Sequence, residues 1–293
     1  MAPPRSVSSA TTVAVVTVSY RSQDVLAEFL GSVRAASATP LTIVVADNLP
    51  GEGAEVARLS QEVGATYLAM TANLGYGSAM NAAARSLPAE IEWILVANPD
   101  VSLSPGAIDR LVATGREDPA IGSVGPAIHN SDGTLYPSAR AVPSLRNGIG
   151  HAMFANLWTG NPWSKAYRKD SDNPPVCRDT GWLSGACVLL RRAAFDQLGG
   201  FDPGYFMYFE DVDLGYRLGK LGYRNVYEPA ATVTHSGAHS TSTASARMIE
   251  AHHDSARRFL AKKYSGAPLW PVRTALTLGL TLRSSLVRRK LQH

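Results

Sequence analysis

The sequence has little cysteine: Cys177 and Cys187 are the two in 293 residues. They stand ten residues apart, a spacing typical of neither a disulfide-rich domain nor a zinc site. We therefore expect a protein of the reducing cytosol. Cys187 lies in the apolar run 186–190 and is expected to be a small core residue.

Long apolar runs are also missing. The first apolar run, 13–18, is too short for the core of a signal peptide or for a membrane span, and no run reaches the roughly 18 residues of a spanning helix. Charged residues make up 18% of the chain and hydrophobic residues 45%, which is typical of a globular protein with a large core.

Acidic residues are scarce at the C-terminal end. Residues 245–293 hold ten Lys and Arg but two Asp and Glu, whereas residues 1–244 have a net charge of −4. The segment 269–291 is basic and amphipathic, which favours an anionic surface as partner. On charge alone this surface is a membrane or a nucleic acid. The alternative is a pair of helices that pack on the rest of the chain or on a second subunit in a homo-oligomer.

The turn after the first β-branched run, 19–23, contains no glycine, and a P-loop is missing as well. These absences exclude the Rossmann dehydrogenase and P-loop classes. Apolar β-type runs nevertheless alternate with helical patterns, which predicts a doubly wound α/β domain with a mostly parallel central sheet. We predict a flexible lead at 1–11, this domain at 12–240 and a helical, basic extension at 241–293. The predicted strands are 13–20, 41–46, 66–70, 93–97, 122–126, 181–190, 223–227 and 231–234.

Two carboxylates follow strands of this predicted sheet. Asp47 ends the second strand and Asp100 follows the fourth, so both are expected at the crevice where such sheets bind ligands. Asp47 would accept from a base or ribose, and Asp100 would hold a divalent cation, Mg²⁺ or Mn²⁺, against a diphosphate. Each residue taken alone is also a common helix cap or turn former.

A helix is predicted from Glu210, with Leu214, Leu218 and Leu221 as its buried stripe. Asp211 continues that stripe, so its carboxylate is expected to point inward, where partial burial raises the proton affinity that a general base needs. Glu210 and Asp213 have simpler explanations. Acids in a first turn complement the helix dipole, and Asp213 can pair with Arg217.

Seven segments, in this order and spacing, resemble the family 2 inverting glycosyltransferases with a GT-A fold, over roughly residues 12–240. Within that family the chain is similar to bacterial rhamnosyltransferases. The segments are Thr17-Val-Ser-Tyr, Ala46-Asp-Asn, Asn73-Leu-Gly-Tyr-Gly-Ser-Ala-Met-Asn, Asn98-Pro-Asp-Val, Gly181-Trp-Leu-Ser-Gly-Ala, Gly199-Gly-Phe-Asp and Phe209-Glu-Asp-Val-Asp.

The resemblance implies a role for each matching residue. Asp211 would be the catalytic base, with Glu210 positioning it or the acceptor, and Asp100 with His235 would hold the metal. Asn98 replaces the first acid of the family's Asp-x-Asp metal motif. Two further sets are implied: the nucleotide sugar would meet Ser19, Tyr20, Asp47, Asn73, Gly75, Gly77, Asn81 and Asn98, and the acceptor would meet Trp182, Ser184 and Gly185. The glycines of 73–81 have a second interpretation, close packing against a strand.

The resemblance also implies substrates and a location. The donor would be dTDP-L-rhamnose and the acceptor a polyprenyl-diphospho-N-acetylglucosamine in cell-wall linker synthesis. The enzyme would be peripheral at the cytoplasmic face of the membrane, without a nucleic-acid partner. Two alternatives stay open: a galactofuranose or hexose nucleotide as donor, and a non-catalytic protein that binds nucleotide sugars.

Overall fold

The computed structural model describes residues 12–143, 175–237, 245–271 and 274. Four parallel strands form one half of the central sheet, in the order β3-β2-β1-β4. All seven residues of β1 are buried, as expected for a central parallel strand. The strands are β1 Val13–Ser19, β2 Thr42–Asp47, β3 Thr66–Ala69 and β4 Trp93–Ala97.

The other half continues the sheet from β4 in the order β11-β6-β12-β5. Strand β11 is antiparallel to both of its neighbours, whereas β6 and β12 run parallel to each other. Two short strands, β8 and β10, form a separate antiparallel pair. The bounds are β5 Val101–Leu103, β6 Ile121–Asn130, β7 Leu135–Tyr136, β8 Ala139–Arg140, β9 Arg178–Thr180, β10 Trp182–Leu183, β11 Cys187–Arg191 and β12 Arg224–His235.

Helices cover both faces of the sheet. One core cluster contains Phe29 of α1, Val56 of α2 and Ile108 of α4, and the cluster on the other face contains residues of α3, α5 and α6. The predicted α/β class with a mostly parallel central sheet is therefore confirmed. The helices are α1 Gln23–Ala35, α2 Ala54–Glu62, α3 Tyr76–Arg85, α4 Ala107–Arg116, α5 Arg192–Leu198, α6 Glu210–Lys220 and α7 Ser245–Lys263.

Three predictions need correction. The strands predicted at 223–227 and 231–234 are one strand, β12, whose register shifts between Glu228 and Thr232. The single segment predicted at 181–190 is two strands, β10 and β11. Leu221 is 45% exposed rather than part of the buried stripe, because α6 ends at Lys220. The predicted lead, 1–11, lies outside the described residues.

Helix α7 packs on the sheet domain through a third, smaller cluster. Phe259 is fully buried there with Tyr205, Val212 and Trp182. The Lys262 ammonium pairs with Asp202 at 2.6 Å and with the buried Asp213 at 2.7 Å. Helix α7, the described start of the predicted extension, therefore packs on the sheet domain. The amphipathic segment 269–291 lies largely outside the described residues. Within those residues, no helix is both long and apolar enough to cross a bilayer.

We expect Lys262→Met to lower the free energy of unfolding by about 2 kcal/mol, because it removes one cation from carboxylates that are largely buried. Urea unfolding at neutral pH measures this change. The matched control is Arg116→Met, whose pair with Glu92 is exposed on both sides, so a loss below about 0.5 kcal/mol is expected. Equal losses in the two variants would show that Lys262 contributes no more than a surface pair.

Candidate active site

Asp47 and Asp100 lie at the same edge of the sheet, with β1 between their strands. Asp47 is 2% exposed and accepts hydrogen bonds from the Tyr67 hydroxyl at 3.1 Å and the Leu49 N–H at 3.2 Å. Gly53 packs so closely here that a Cβ would collide with Tyr67 and Asp47. The carboxylate is thus held firmly at the crevice, and a carboxylate has further acceptor capacity for a ligand.

Ser19 ends β1 beside Asp47 and is fully buried. Its hydroxyl has no hydrogen-bond partner among the residues that the structure describes. A buried polar group of this kind usually has a partner, which a bound ligand would supply. Tyr20 is 41% exposed at the crevice edge and its N–H donates to the Ser22 hydroxyl. Nucleotide binding by Ser19, Tyr20 and Asp47 stays a prediction.

The segment 73–81 packs against the turn that precedes α6. Gly75 has φ +91°, and a Cβ there would collide with the Phe206 backbone. Asn73 accepts from Asn48 Nδ2 at 2.8 Å and from the Gly75 N–H at 3.1 Å.

Two further residues of the segment pack against Phe201. Gly77 faces Phe201, where a Cβ would lie 2.9 Å from the Phe201 Cβ. The Asn81 side chain exchanges hydrogen bonds of 2.8 and 2.9 Å with the Phe201 backbone. Gly75 and Gly77 are thus closely packed, but against the turn between α5 and α6 rather than against a strand. The hydrogen bonds with Phe201 give Asn81 a structural role, and nucleotide binding by this residue stays a prediction.

Asp100 and His235 come together although 135 residues separate them. Asp100 follows β4, His235 ends β12, and His235 Nε2 lies 3.1 Å from Asp100 Oδ1 and 3.4 Å from Asn98 Nδ2. Among the described residues no group of three or more His, Cys, Asp and Glu side chains could hold a metal ion. A carboxylate and an imidazole still fit Mn²⁺ or Mg²⁺ where substrate phosphates complete the coordination.

Asp211 is fixed at the start of α6 by two backbone groups. The Gly185 N–H donates to Oδ2 at 3.0 Å and the Val212 N–H to Oδ1 at 2.8 Å. The Tyr76 hydroxyl in turn donates to the Gly185 carbonyl at 2.8 Å. Burial raises the pKa of Asp211, while both N–H groups lower it by stabilising the carboxylate. This arrangement fixes the orientation of a partly exposed carboxylate, which is what a general base requires.

The backbone before Asp211 is strained. Tyr208 and Phe209 have φ of +67° and +63°, in a region that side chains other than glycine rarely adopt. Helix α7 braces this turn: the His252 ring meets the Tyr208 and Phe209 rings edge-on at 5.4 and 5.3 Å, and Ser255 donates to the Met207 carbonyl at 2.8 Å.

Glu210 differs from Asp211 in its surroundings. It is 8% exposed, and its Oε2 has no hydrogen-bond partner in the described part of the chain. Burial, followed by the charge of Asp211, raises the pKa of Glu210 to about 8. Two adjacent buried carboxyls do not readily ionise together, and the two N–H groups that bind Asp211 favour the negative charge of the pair on that residue.

The raised pKa of Glu210 makes stability depend on pH. This carboxyl binds its proton more tightly in the folded than in the unfolded chain, so its contribution is complete below about pH 4.5 and is lost as the pH rises through 8. We expect the unfolding free energy of the parent protein to fall by about 3 kcal/mol more between pH 5.5 and 8.5 than that of Glu210→Gln. Urea unfolding at both pH values tests this, with the exposed Glu52→Gln as control. A parallel fall in parent and Glu210→Gln would contradict the shift.

The three residues that are predicted to meet the acceptor differ in their positions. Gly185 and Ser184 lie beside Asp211, but Trp182 is 9% exposed, packs in the third cluster and donates its indole N–H to the Ala141 carbonyl at 3.2 Å. The structure thus favours a core role for Trp182 over stacking on a sugar. Asp213 is structural, since Arg217 pairs with it at 2.6 Å.

Tyr76 lies within the segment 73–81. The sequence does not predict its contact with the Gly185 carbonyl, because this contact joins distant parts of the chain.

Comparison with known proteins agrees with this geometry. Residues 10–252 match the family model described as "Glycosyltransferase like family 2". The chain belongs to glycosyltransferase family 2. It is 44% identical over 284 residues, 94% of this chain and 92% of the relative, to the N-acetylglucosaminyl-diphospho-decaprenol L-rhamnosyltransferase of Mycobacterium tuberculosis. It is 39% identical to the rhamnosyltransferase WbbL of Escherichia coli over 82 residues, 28% of this chain and 31% of the relative. The predicted family resemblance is confirmed.

Solved glycosyltransferase structures share the fold. One is the mannosyltransferase PcManGT from Pyrobaculum calidifontis in complex with GDP-Man and Mn²⁺. It superposes with a TM-score of 0.58 at 17% identity, and the match covers 91% of this chain and 69% of the mannosyltransferase. GalNAc-T7 with UDP, GalNAc and Mn²⁺ gives 0.54 at 18% identity, covering 77% and 44%. This family 2 enzyme therefore has the GT-A-type fold that the sequence predicted.

Proposed function

We propose that this glycosyltransferase moves L-rhamnose from dTDP-L-rhamnose to a polyprenyl-diphospho-N-acetylglucosamine, with inversion at the anomeric carbon. The observation that carries the proposal is the 44% identity to the mycobacterial L-rhamnosyltransferase, which extends over nearly the full length of both chains. The geometry supports it, since hydrogen bonds hold the carboxylates of Asp47 and Asp211 in fixed orientations.

Asp211 performs the proton transfer in this proposal. An inverting transfer is a single displacement, in which the acceptor hydroxyl attacks the anomeric carbon from the face opposite the leaving nucleotide diphosphate. Asp211 removes the hydroxyl proton as the new bond forms. The N–H groups of Gly185 and Val212 keep the carboxylate oriented, and the proton on Glu210 keeps a second negative charge away from it.

Asp100 and His235 would hold a divalent cation beside the donor diphosphate, and such an ion stabilises the negative charge of a leaving diphosphate. Both side chains are mostly buried, at 10% and 19% exposure, so they can present fixed ligand atoms. Asp47, with Ser19 beside it, would bind the nucleoside.

The proposed site of action is the membrane. The acceptor carries a polyprenyl chain, so the enzyme would work at the cytoplasmic face of the membrane. The basic segment 269–291 would contact anionic headgroups there. The net charge of residues 245–293 and the exposed Trp270, at 61%, support this contact.

The test is transfer from a panel of nucleotide sugars to a synthetic short-chain polyprenyl-diphospho-N-acetylglucosamine, with and without chelator. The expected result is a kcat/KM for dTDP-L-rhamnose at least about 100-fold above that for galactofuranose or hexose nucleotides, since a donor pocket can discriminate by a few kcal/mol. Chelator should abolish turnover. Preference for another nucleotide sugar would overturn the assigned donor. Nucleotide binding without transfer from any donor would instead favour the non-catalytic alternative.

A further inference from the structure

Arg140 is the last residue of β8, which pairs with β10, the strand that leads to Gly185. In the β8–β10 pair Arg140 lies opposite Trp182, and two residues after Trp182 the chain reaches Ser184 and Gly185. The Gly185 N–H then binds the Asp211 carboxylate. Arg140 is therefore placed near Ser184 and Gly185, which are predicted to meet the acceptor, whereas Asp100 follows β4 and His235 ends β12.

The Arg140 guanidinium is held in one orientation. Its central carbon lies 5.7 Å from the ring centroids of both Tyr136 and Trp182, and its Nε donates to the Pro137 carbonyl at 2.7 Å. Stacking on aromatic rings and one backbone acceptor fix the plane of the group. These contacts use the face of the guanidinium and its Nε, and its two terminal nitrogens make no hydrogen bond to the residues that the structure describes.

No carboxylate pairs with Arg140 within residues 12–143, 175–237 and 245–271, where several other arginines do have acidic partners. Arg140 is only partly exposed. A cation that is partly removed from water and lacks a partner is costly, so such a group is expected to meet an anion. Its charge also acts on Asp211, where it favours the carboxylate form.

We propose that the terminal nitrogens of Arg140 bind the diphosphate of the lipid-linked acceptor. This inference rests on the proposed function. In that acceptor the diphosphate and the attacking hydroxyl belong to the same sugar, so an anion site beside the base places the hydroxyl against Asp211. A planar guanidinium with two free N–H edges matches phosphate oxygens in a bidentate geometry. Arg140 thus makes the enzyme select diphospho-sugars over uncharged glycosides.

The experiment compares two acceptor probes that share N-acetylglucosamine. One is a short-chain polyprenyl-diphospho-N-acetylglucosamine, and the other is an alkyl N-acetylglucosaminide without phosphate. Their Kd values are measured in the presence of dTDP, and their kcat/KM values with the nucleotide donor. In Arg140→Met we expect the Kd for the diphosphate probe to rise about 30- to 100-fold, as for the loss of a charged hydrogen-bonded pair. The Kd for the alkyl glycoside and the Kd for the donor should change less than threefold.

Two further variants keep the test decisive. Arg85→Met is the matched control, because Arg85 ends α3 about nine residues, or roughly 13 Å, from Tyr76. It should leave both Kd values unchanged. Arg140→Lys keeps the charge but not the bidentate geometry and should restore part of the preference for diphosphate, which also covers the case that Arg140→Met fails to fold.

Equal losses for the two probes would overturn the inference, because Arg140 would then act through Asp211 or the fold. A selective loss of donor affinity would also overturn it, by assigning Arg140 to the diphosphate of the donor. The two proposals fail separately. If the parent protein binds the diphosphate probe through Arg140 but transfers no rhamnose, the proposed function fails and the anion site stands.

Discussion

Asp211→Asn is expected to lower kcat by about 10³-fold while the affinity for the nucleotide donor stays within twofold. General base catalysis contributes roughly 10² to 10⁴ in rate, and an amide cannot take the proton of the acceptor hydroxyl. The Asn side chain keeps the size of the original, and its carbonyl oxygen can still accept from the Gly185 N–H. Steady-state kinetics with saturating acceptor, together with titration of the donor, measure both quantities.

The matched control for this variant is Asp196→Asn. Asp196 lies on α5 and forms an exposed pair with Arg192, so its loss should change kcat less than twofold. Thermal unfolding of both variants separates a lost base from a lost fold. If Asp211→Asn turned over within tenfold of the parent enzyme while folded, a different group would have to accept the proton.

Asp100→Asn is expected to lower kcat/KM by about 10²-fold or more at a fixed, low Mn²⁺ concentration. Of the two proposed metal ligands, Asp100 is the carboxylate, and an amide is a weaker ligand for these hard cations. A higher Mn²⁺ concentration should recover part of the activity, because His235 and the donor diphosphate still provide ligands. Titration of kcat/KM with Mn²⁺ measures the shift.

The control for Asp100→Asn is Asp24→Asn, a substitution in the exposed first turn of α1. It should leave the Mn²⁺ dependence unchanged. An Asp100→Asn enzyme whose Mn²⁺ dependence matches that of the parent would show that the pair of Asp100 and His235 does not hold the ion. The 3.1 Å contact between them would then be a structural hydrogen bond.

The half of the fold that the sequence predicts best is the parallel half. Strand β4 runs from Trp93 to Ala97 as predicted, since a buried parallel strand is apolar on both faces and this pattern is unambiguous. Helix α4 was missed although Ile108, Leu111 and Val112 have helical spacing, and β5 was missed because three residues carry no periodicity. The sequence predicts two strands where β12 is continuous, because its register shift against β6 between Glu228 and Thr232 is a tertiary property.

The sequence predicts candidate site residues where a single carboxylate stands at a strand end or at a helix start. Asp47, Asp100 and Asp211 are predicted in this way, and their roles stay predictions. The sequence does not predict the contacts that orient these side chains, because the contacts join distant segments. Tyr76 reaches Gly185 across 109 residues, and Lys262 reaches Asp213 across 49. The sequence also does not predict the packing of Trp182. This residue is expected at the acceptor, but its side chain packs against Gly215 and lies in one cluster with Phe259.

In the proposed reaction one carboxylate, Asp211, activates the acceptor for a single displacement. The most direct measurement is the anomeric configuration of the new glycosidic bond, determined by NMR on the product of a nucleotide donor of known configuration. Our account predicts a linkage of configuration opposite to that of the donor, at every time point from the first turnover onward. A product that retains the donor configuration would contradict it, because retention requires a mechanism other than one direct displacement.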